Sequence, residues 1–552
     1  MNLIADFLDC TQFTSYEQLC RDFKLHIKDD FNFGLDVVDK YAACEPNKTA
    51  LIWCNDSGEE KFITFADVAR ESNRIANMFY DKGIRRGDFV LLMLMSRFEY
   101  WYATVACHKL GAIVIPATSQ LTYKDIVYRC NYAGIKAIVS VNTPTLTEYI
   151  LKARPDCKAL EHIFAVNGGA EGFEDFEALY KTYDGGKLNF TPMRDKNAPM
   201  LAYFTSGTTG LPKMALHSYT YPVAHIATAM WHGCTDKSLQ FTAADTGWAK
   251  ASWGKIYGQW ICGAALFTYD YYGKYTPLDL LPLLQKYKVT GFCAPPTVYR
   301  FLIQEDLSRF DLSSIEHYCT AGEPLNPVVY EQIKQKIGKS IYEGYGQTET
   351  VVAIGTFPYM EPHPGSMGKP CPVYEIALLD DHGNPVPDDT EGEICIKLKP
   401  EQAGLFVEYY NNEKQMQAAR YGGYYHTGDV AIRDKDGYYW FVSRDDDIIK
   451  SSGYRIGPFE VESALLEHPA VSECAITAVP DEIRGQVVKA TVVLARGYTP
   501  SDALKKELQN HVKHITAPYK YPRIVEFVTS LPKTISEKIR RVEIRENDKN
   551  KK

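Results

Sequence analysis

Residues 199–213 read Pro199-Met-Leu-Ala-Tyr-Phe204 and then Thr205-Ser-Gly-Thr-Thr-Gly-Leu-Pro-Lys213. The first six are apolar enough to make a short buried strand. The nine that follow have the chemistry of a phosphate loop. Gly207 and Gly210 tolerate positive φ and let the backbone come close to a ligand. The hydroxyls of Thr205, Ser206, Thr208 and Thr209, with the loop's N–H groups, are donors to phosphate oxygens, and Lys213 adds a positive charge. No Gly-Lys-Ser/Thr closes the loop, so it is not of the Walker type and offers no helix N-terminus in that way. Standing alone, such a loop reads first as ordinary polar surface.

The flanking chain places that strand in an α/β fold. Apolar runs such as Phe89-Val-Leu-Leu-Met-Leu-Met95 and Ala112-Ile-Val-Ile-Pro116 alternate with helical patterns such as Phe65–Asp81, which predicts helices packed on mostly parallel sheets. Between about Tyr374 and Leu398 the pattern becomes alternating. Glu375–Leu379 and Glu393–Leu398 flank the turn Asp381-His-Gly-Asn-Pro385, predicting antiparallel sheet and a small β-barrel-like part. After Ser443-Arg-Asp-Asp-Asp447 a compact α/β pattern resumes. Pro458 opens a helix carrying Val461, Ala464 and Leu465, strands follow at Glu473–Val479 and Val487–Leu494, and a second helix has Leu504, Leu508, Val512 and Ile515 on one side. We therefore expect a large N-terminal domain, residues 1–445, and a small mobile C-terminal domain, residues 446–552. A chain of 552 residues is in any case too long for one core.

The net charge of −8 disfavours the broad basic surface that nucleic acid would require. No run approaches the roughly 20 apolar residues of a membrane span. The fourteen cysteines show no Cys-x-x-Cys and no zinc spacing, and with an acidic N-terminus they predict free thiols in a reducing, cytoplasmic setting.

Further motifs follow the loop in order: Glu343-Gly-Tyr-Gly-Gln-Thr-Glu349, His426-Thr-Gly-Asp429, Ser443-Arg-Asp-Asp-Asp-Ile-Ile-Lys-Ser-Ser-Gly-Tyr-Arg455 and Pro532-Lys-Thr-Ile-Ser-Glu-Lys-Ile-Arg540. Together they closely resemble the signature segments of the adenylate-forming superfamily, over about Ala43 to Arg545. Within it, Asp245-Thr-Gly-Trp248, Ala321-Gly-Glu-Pro-Leu325 and Ser452–Pro458 look most like medium-chain acyl-CoA synthetases.

The resemblance implies an ATP-dependent acid:CoA ligase using Mg²⁺, with a carboxylic acid, ATP and CoA as its small-molecule partners and homodimerisation left open. Two anions must meet in the first step, so the site needs cations and fixed donors. The loop Thr205–Lys213 is then expected to grip the β- and γ-phosphates. Glu349 would hold Mg²⁺ by carboxylate oxygen, and Thr348 would bond the α-phosphate or the acyl carboxylate. Tyr345 would lie against adenine beside Glu343, Gly344, Gly346 and Gln347. Asp429 would accept from both ribose hydroxyls, with Arg444 on the same side and Arg455 reaching phosphate. Lys538 is the expected catalytic lysine, although Glu537 stands where the family usually has Gly, and Lys533 is a rival. Asp446 matches the family's hinge. Ser452, Gly453 and Tyr454 would line the pantetheine channel, with Arg484 and Lys513 near the CoA nucleotide.

The acyl pocket is expected around Trp248, Lys250, Trp253, Gly322 and Gly346. Acetyl-selective relatives usually carry Trp where Gly346 stands. Its absence predicts volume for an acid larger than acetate, medium-chain or short branched, with Trp248, Lys250 and Trp253 crowding the far wall. Two other readings are an adenylate-forming enzyme that does not use CoA and a non-catalytic nucleotide-binding relative.

Overall fold

A computed structural model of the chain describes residues 2–205, 211–272, 276–452, 454–481, 483–533 and 539–550. Ser206, Gly207, Thr208, Thr209, Gly210, Gly453, Glu537 and Lys538 lie outside these residues.

The decisive strand forms at Pro199–Thr205, with Met200 to Tyr203 buried. It pairs antiparallel with Lys213–Ser218, and Thr205 faces Lys213 across the ladder. These two strands are therefore the arms of a hairpin, and the chain goes on from the first into a second strand instead of a helix. On its other side the strand runs parallel to Ile113–Pro116, and the sheet continues through Phe89–Met93, Ile135–Val141 and His162–Val166. Helix Phe65–Asp81 starts at a reciprocal Thr64/Asp67 capping box and buries its apolar stripe, including Val68, Ile75 and Phe79. Helix Glu99–Leu110 is buried along its whole length, as fits a helix inside a core.

A second, longer sheet carries the rest of the site. Thr49–Asn55, Ala265–Asp270, Leu239–Thr242, Gly291–Ala294, His317–Ala321 and Ile341–Tyr345 are mutually parallel. The sheet then turns antiparallel through Ile354–Gly355, Ser366–Pro370, Tyr439–Arg444, Tyr424–Arg433, Glu391–Lys397 and Ile376–Leu379. The expected barrel-like part is thus continuous with the parallel sheet, joined through Ser366–Pro370.

From Ile449 onward a third sheet is built from Ile449–Ser451, Tyr454–Ile456, Val471–Asp481, Gly485–Leu494 and Ile524–Val528. It packs its own apolar cluster against helices Pro458–Leu466 and Asp502–Ile515. Leu504, Leu508 and Val512 are buried, but Ile515, counted with them from periodicity, is 44% exposed. It is the last residue of its helix, where Thr516 leaves in an extended conformation. All fourteen cysteines are free. No helix among the described residues is long and apolar enough to cross a membrane.

Candidate active site

A cleft of about 1610 Å³ lies between the antiparallel end of the long sheet and the C-terminal sheet. It brings together Thr205, Lys213, Gly322, Glu343 through Glu349, Asp429, Arg444, Asp446 and Arg455, residues up to 250 positions apart in the chain.

One end is a carboxylate held by aromatic and amide donors. Asp429 is buried, and its Oδ2 accepts from the Tyr345 hydroxyl at 2.6 Å and from Gln347 Nε2 at 2.6 Å. Gln347 is fixed in turn, donating to the Thr427 carbonyl at 2.9 Å and accepting from the Tyr425 hydroxyl at 2.7 Å. Burial, then the charge of Asp429, push the Tyr345 phenol far above its ordinary pKa, so it stays a donor. Tyr345 was expected only as a ring for adenine; its hydroxyl also orients the Asp429 carboxylate. Arg444 lies opposite Asp429 on the adjacent strand and pairs with Asp446 at 3.0 Å.

The other end gathers opposite charge. Lys213 Nζ stands 3.3 Å from Glu349 Oε1 and 3.9 Å from the centre of the Tyr409 ring, whose hydroxyl donates to the same Oε1 at 2.7 Å. The Thr205 hydroxyl is buried beside them without a hydrogen-bond partner among the described residues. A buried carboxylate, an adjacent ammonium and an orphaned hydroxyl form a donor set that fits a Mg²⁺–polyphosphate group. Thr348 is located by its carbonyl, which accepts from the buried His217 at 3.0 Å.

Gly346 does not leave the open volume expected of it. A Cβ there would stand 2.4 Å from Trp253 Cη2, so the indole of residue 253 takes the space that a side chain at 346 would need. Trp253 is wedged edge-on to Trp231 at 6.3 Å, and Lys250 donates to the Ala321 carbonyl at 2.8 Å, beside Gly322 at φ +105°. Trp248 precedes the short helix Ala249–Gly254 that carries both.

Other expected residues lie elsewhere in the cleft or outside it. Arg455 lies at the cleft mouth near the carboxylates of Asp445 (3.5 Å), Glu391 (3.8 Å) and Asp381 (4.0 Å). Ser452, Tyr454, Arg484 and Lys513 sit on the C-terminal sheet and its helix, outside the cleft lining. There Arg484 donates to Ser452 Oγ at 3.2 Å, Tyr454 stacks on Tyr519, and Lys513 lies over Tyr521. Lys533 lines the cleft and pairs with Glu473 at 3.0 Å. Tyr409 and Tyr425 were not anticipated. Neither stands in a motif that marks it, and each acts through a partner at least 60 residues away.

Comparison with known proteins defines the class. The AMP-binding enzyme family profile matches residues 38–410, and its AMP-binding enzyme C-terminal domain matches residues 460–538. The chain belongs to the AMP-binding enzyme family. Acyl-coenzyme A synthetase ACSM3, mitochondrial, of Homo sapiens is 42% identical over 549 residues, covering 97% of this chain and 93% of that protein. 4-Hydroxybutyrate–CoA ligase 1 of Metallosphaera sedula is 40% identical over 526 residues, covering 94% and 91%. Among solved structures, the anthranilate CoA ligase AuaEII in complex with anthranoyl-AMP superposes with a TM-score of 0.87 at 29% identity, covering 95% of this chain and 98% of that one.

Proposed function

We propose that the chain is an ATP-dependent carboxylic acid:CoA ligase. In the first step a carboxylate oxygen attacks the α-phosphorus of ATP, forming an acyl-adenylate and releasing pyrophosphate. In the second the CoA sulfur attacks the acyl carbonyl, losing its proton and releasing AMP. The observation that carries this is one cleft with a donor-clamped carboxylate, Asp429, at one end and the Lys213–Glu349–Thr205 group at the other. The two ends have the chemistry for a ribose and for phosphates.

In this account Asp429, held by Tyr345 and Gln347, accepts from the ribose hydroxyls. Lys213 exchanges its pairing with Glu349 for the departing phosphates. Glu349 would hold Mg²⁺, which when bound neutralises phosphate charge. Thr348 positions the α-phosphate or the attacking carboxylate, and Lys538 neutralises charge between them. We place the domain boundary at Asp446 and let residues 446–552 turn about it, so that Ser452, Gly453, Tyr454, Arg484 and Lys513 reach the site for the second step. That rotation accounts for the present position of Ser452, Tyr454, Arg484 and Lys513 away from the cleft. The acid is larger than acetate, medium-chain or short branched, a reading now supported by the 4-hydroxybutyrate and anthranilate in the relatives' names and not by space at Gly346, which Trp253 takes. Free cysteines support a reducing compartment, of which the cytoplasm is one and the organelle in the ACSM3 name another. Pyrophosphate release with a panel of acids, with and without CoA, tests the function. Acid-dependent release that CoA accelerates is expected; release indifferent to the acid would refute it.

A further inference from the structure

Beside the nucleotide cleft, three side chains that the proposed reaction does not use converge on one point. Cys395 on strand Glu391–Lys397 lies directly opposite His426 on strand Tyr424–Arg433, and Glu393 is two residues before Cys395. The ladder shifts register between Glu393 and Cys395, and the three side chains meet. His426 Nδ1 stands 2.7 Å from Glu393 Oε2 and 3.4 Å from Cys395 Sγ. One ligand atom from each residue lies within 4.8 Å of the others, the one such His/Cys/carboxylate trio among the described residues.

We propose that Glu393, Cys395 and His426 form a binding site for one zinc-class divalent cation at the wall of the nucleotide cleft. Three points carry it. The donors are one thiol, one imidazole nitrogen and one carboxylate oxygen, a set suited to borderline transition ions and unlike the all-oxygen shell that Mg²⁺ takes. The spacing is near what a tetrahedral zinc needs. Its N···S edge is about 3.6 Å for ordinary bond lengths, close to the 3.4 Å found, and the N···O pair at 2.7 Å must open by well under 1 Å. The outer partners are already present. The second oxygen of Glu393 accepts the Gly428 N–H at 2.8 Å, and the His426 ring is stacked on Tyr421 at 3.6 Å. Such contacts orient ligands before a metal arrives. Glu393 and His426 both line the cleft, which leaves the fourth position to water or to a ligand.

Binding replaces the Cys395 S–H bond by a sulfur–metal bond and releases that proton to solvent. The site is also tied to the ribose end. Gly428, held by Glu393 at φ +71°, directly precedes Asp429, so a cation drawing on Glu393 shifts the turn that aims Asp429 and weakens ATP binding.

The test is a titration of the full chain with Co²⁺ in millimolar Mg²⁺, followed by near-ultraviolet absorption of the thiolate-to-cobalt band. One Co²⁺ per chain is expected, bleached by one equivalent of Zn²⁺. Cys395→Ser and Cys395→Ala, each checked for native circular dichroism, should lose the band. Glu393→Gln should weaken Co²⁺ by at least the roughly 10–100-fold that losing an outer-shell partner costs. No band in the wild type, or an unchanged band in a folded Cys395 variant, overturns the site. This readout needs no turnover, so it stands or falls apart from the ligase proposal.

Discussion

Asp429 shows how a residue acquires a role from its neighbours. A carboxylate in water is a poor discriminator, but Tyr345 and Gln347 fix this one in a single orientation inside a buried wall. Asp429→Ala removes a charged acceptor, a loss of about 1.5–3 kcal/mol or roughly 10- to 150-fold. We expect KM for ATP to rise by that factor while KM for the acid stays within about twofold. An equal rise for both substrates would place the defect in the fold. In the proposed acyl pocket, Trp253 is the residue that fills the space against Gly346. Replacing it by Leu frees the space against Gly346, and each further buried methylene is worth about 0.8 kcal/mol, roughly fourfold. Trp253→Leu should shift kcat/KM toward acids one or two carbons longer. Unchanged chain-length preference would show that the acyl chain does not pass there. That Asp429 and Glu349 line one cleft was legible because their motifs are local. The reach of Trp253 to Gly346, 93 positions on, was not, since an indole's rotamer and its target depend on how two distant elements pack.

Strand Ile341–Tyr345 carries a conflict. Gly344 admits Trp231, whose indole nitrogen donates to the Glu343 carbonyl, while the Glu343 side chain is buried in the cleft wall. Burial pushes that carboxyl up to about 8, opposed only by the Leu325 N–H it accepts. A carboxyl whose folded value lies above its free value favours the fold at low pH and loses that advantage as pH climbs from the free value to the folded one. The window here is about pH 4.5 to 8, with a cost near 3 kcal/mol at pH 7. Glu343→Gln keeps the acceptor for Leu325 and removes the titration. Its thermal midpoint should fall less between pH 5 and 8.5 than that of the wild type, with the variant more stable at pH 8; parallel curves would contradict the assignment. At this scale the sequence served well where periodicity governs, as at Phe65–Asp81 and Pro458–Leu466. It said less about strand order. Pairing is non-local, so nothing in residues 374–398 announces that their sheet continues the parallel one through Ser366–Pro370.

Across the whole molecule, the proposal assigns the two half-reactions to two arrangements of residues 446–552 about the larger part of the chain. Arg541, whose Nη2 donates to both carboxylate oxygens of Glu462 at 2.7 Å, ties the final helix, Arg541–Asn550, to the helix Pro458–Leu466, so the C-terminal sheet and its helices can move as one body. If Lys538 serves only adenylation, Lys538→Ala should lose about 2.7–4 kcal/mol, roughly 10²–10³ in rate, with acid and ATP. It should still convert supplied acyl-adenylate and CoA at near the wild-type rate, and Lys533→Ala should spare both steps. A joint loss in Lys538→Ala would make that lysine a support of the fold. The central claim is that an acid oxygen bonds to the α-phosphorus of ATP, and isotope transfer tests it most directly. Hexanoate labelled with oxygen-18 in its carboxylate is turned over with ATP, Mg²⁺ and CoA, and the nucleotide product is analysed by mass spectrometry. AMP carrying one oxygen-18 per thioester formed is the predicted result, and label recovered in inorganic phosphate with ADP as the product would contradict it.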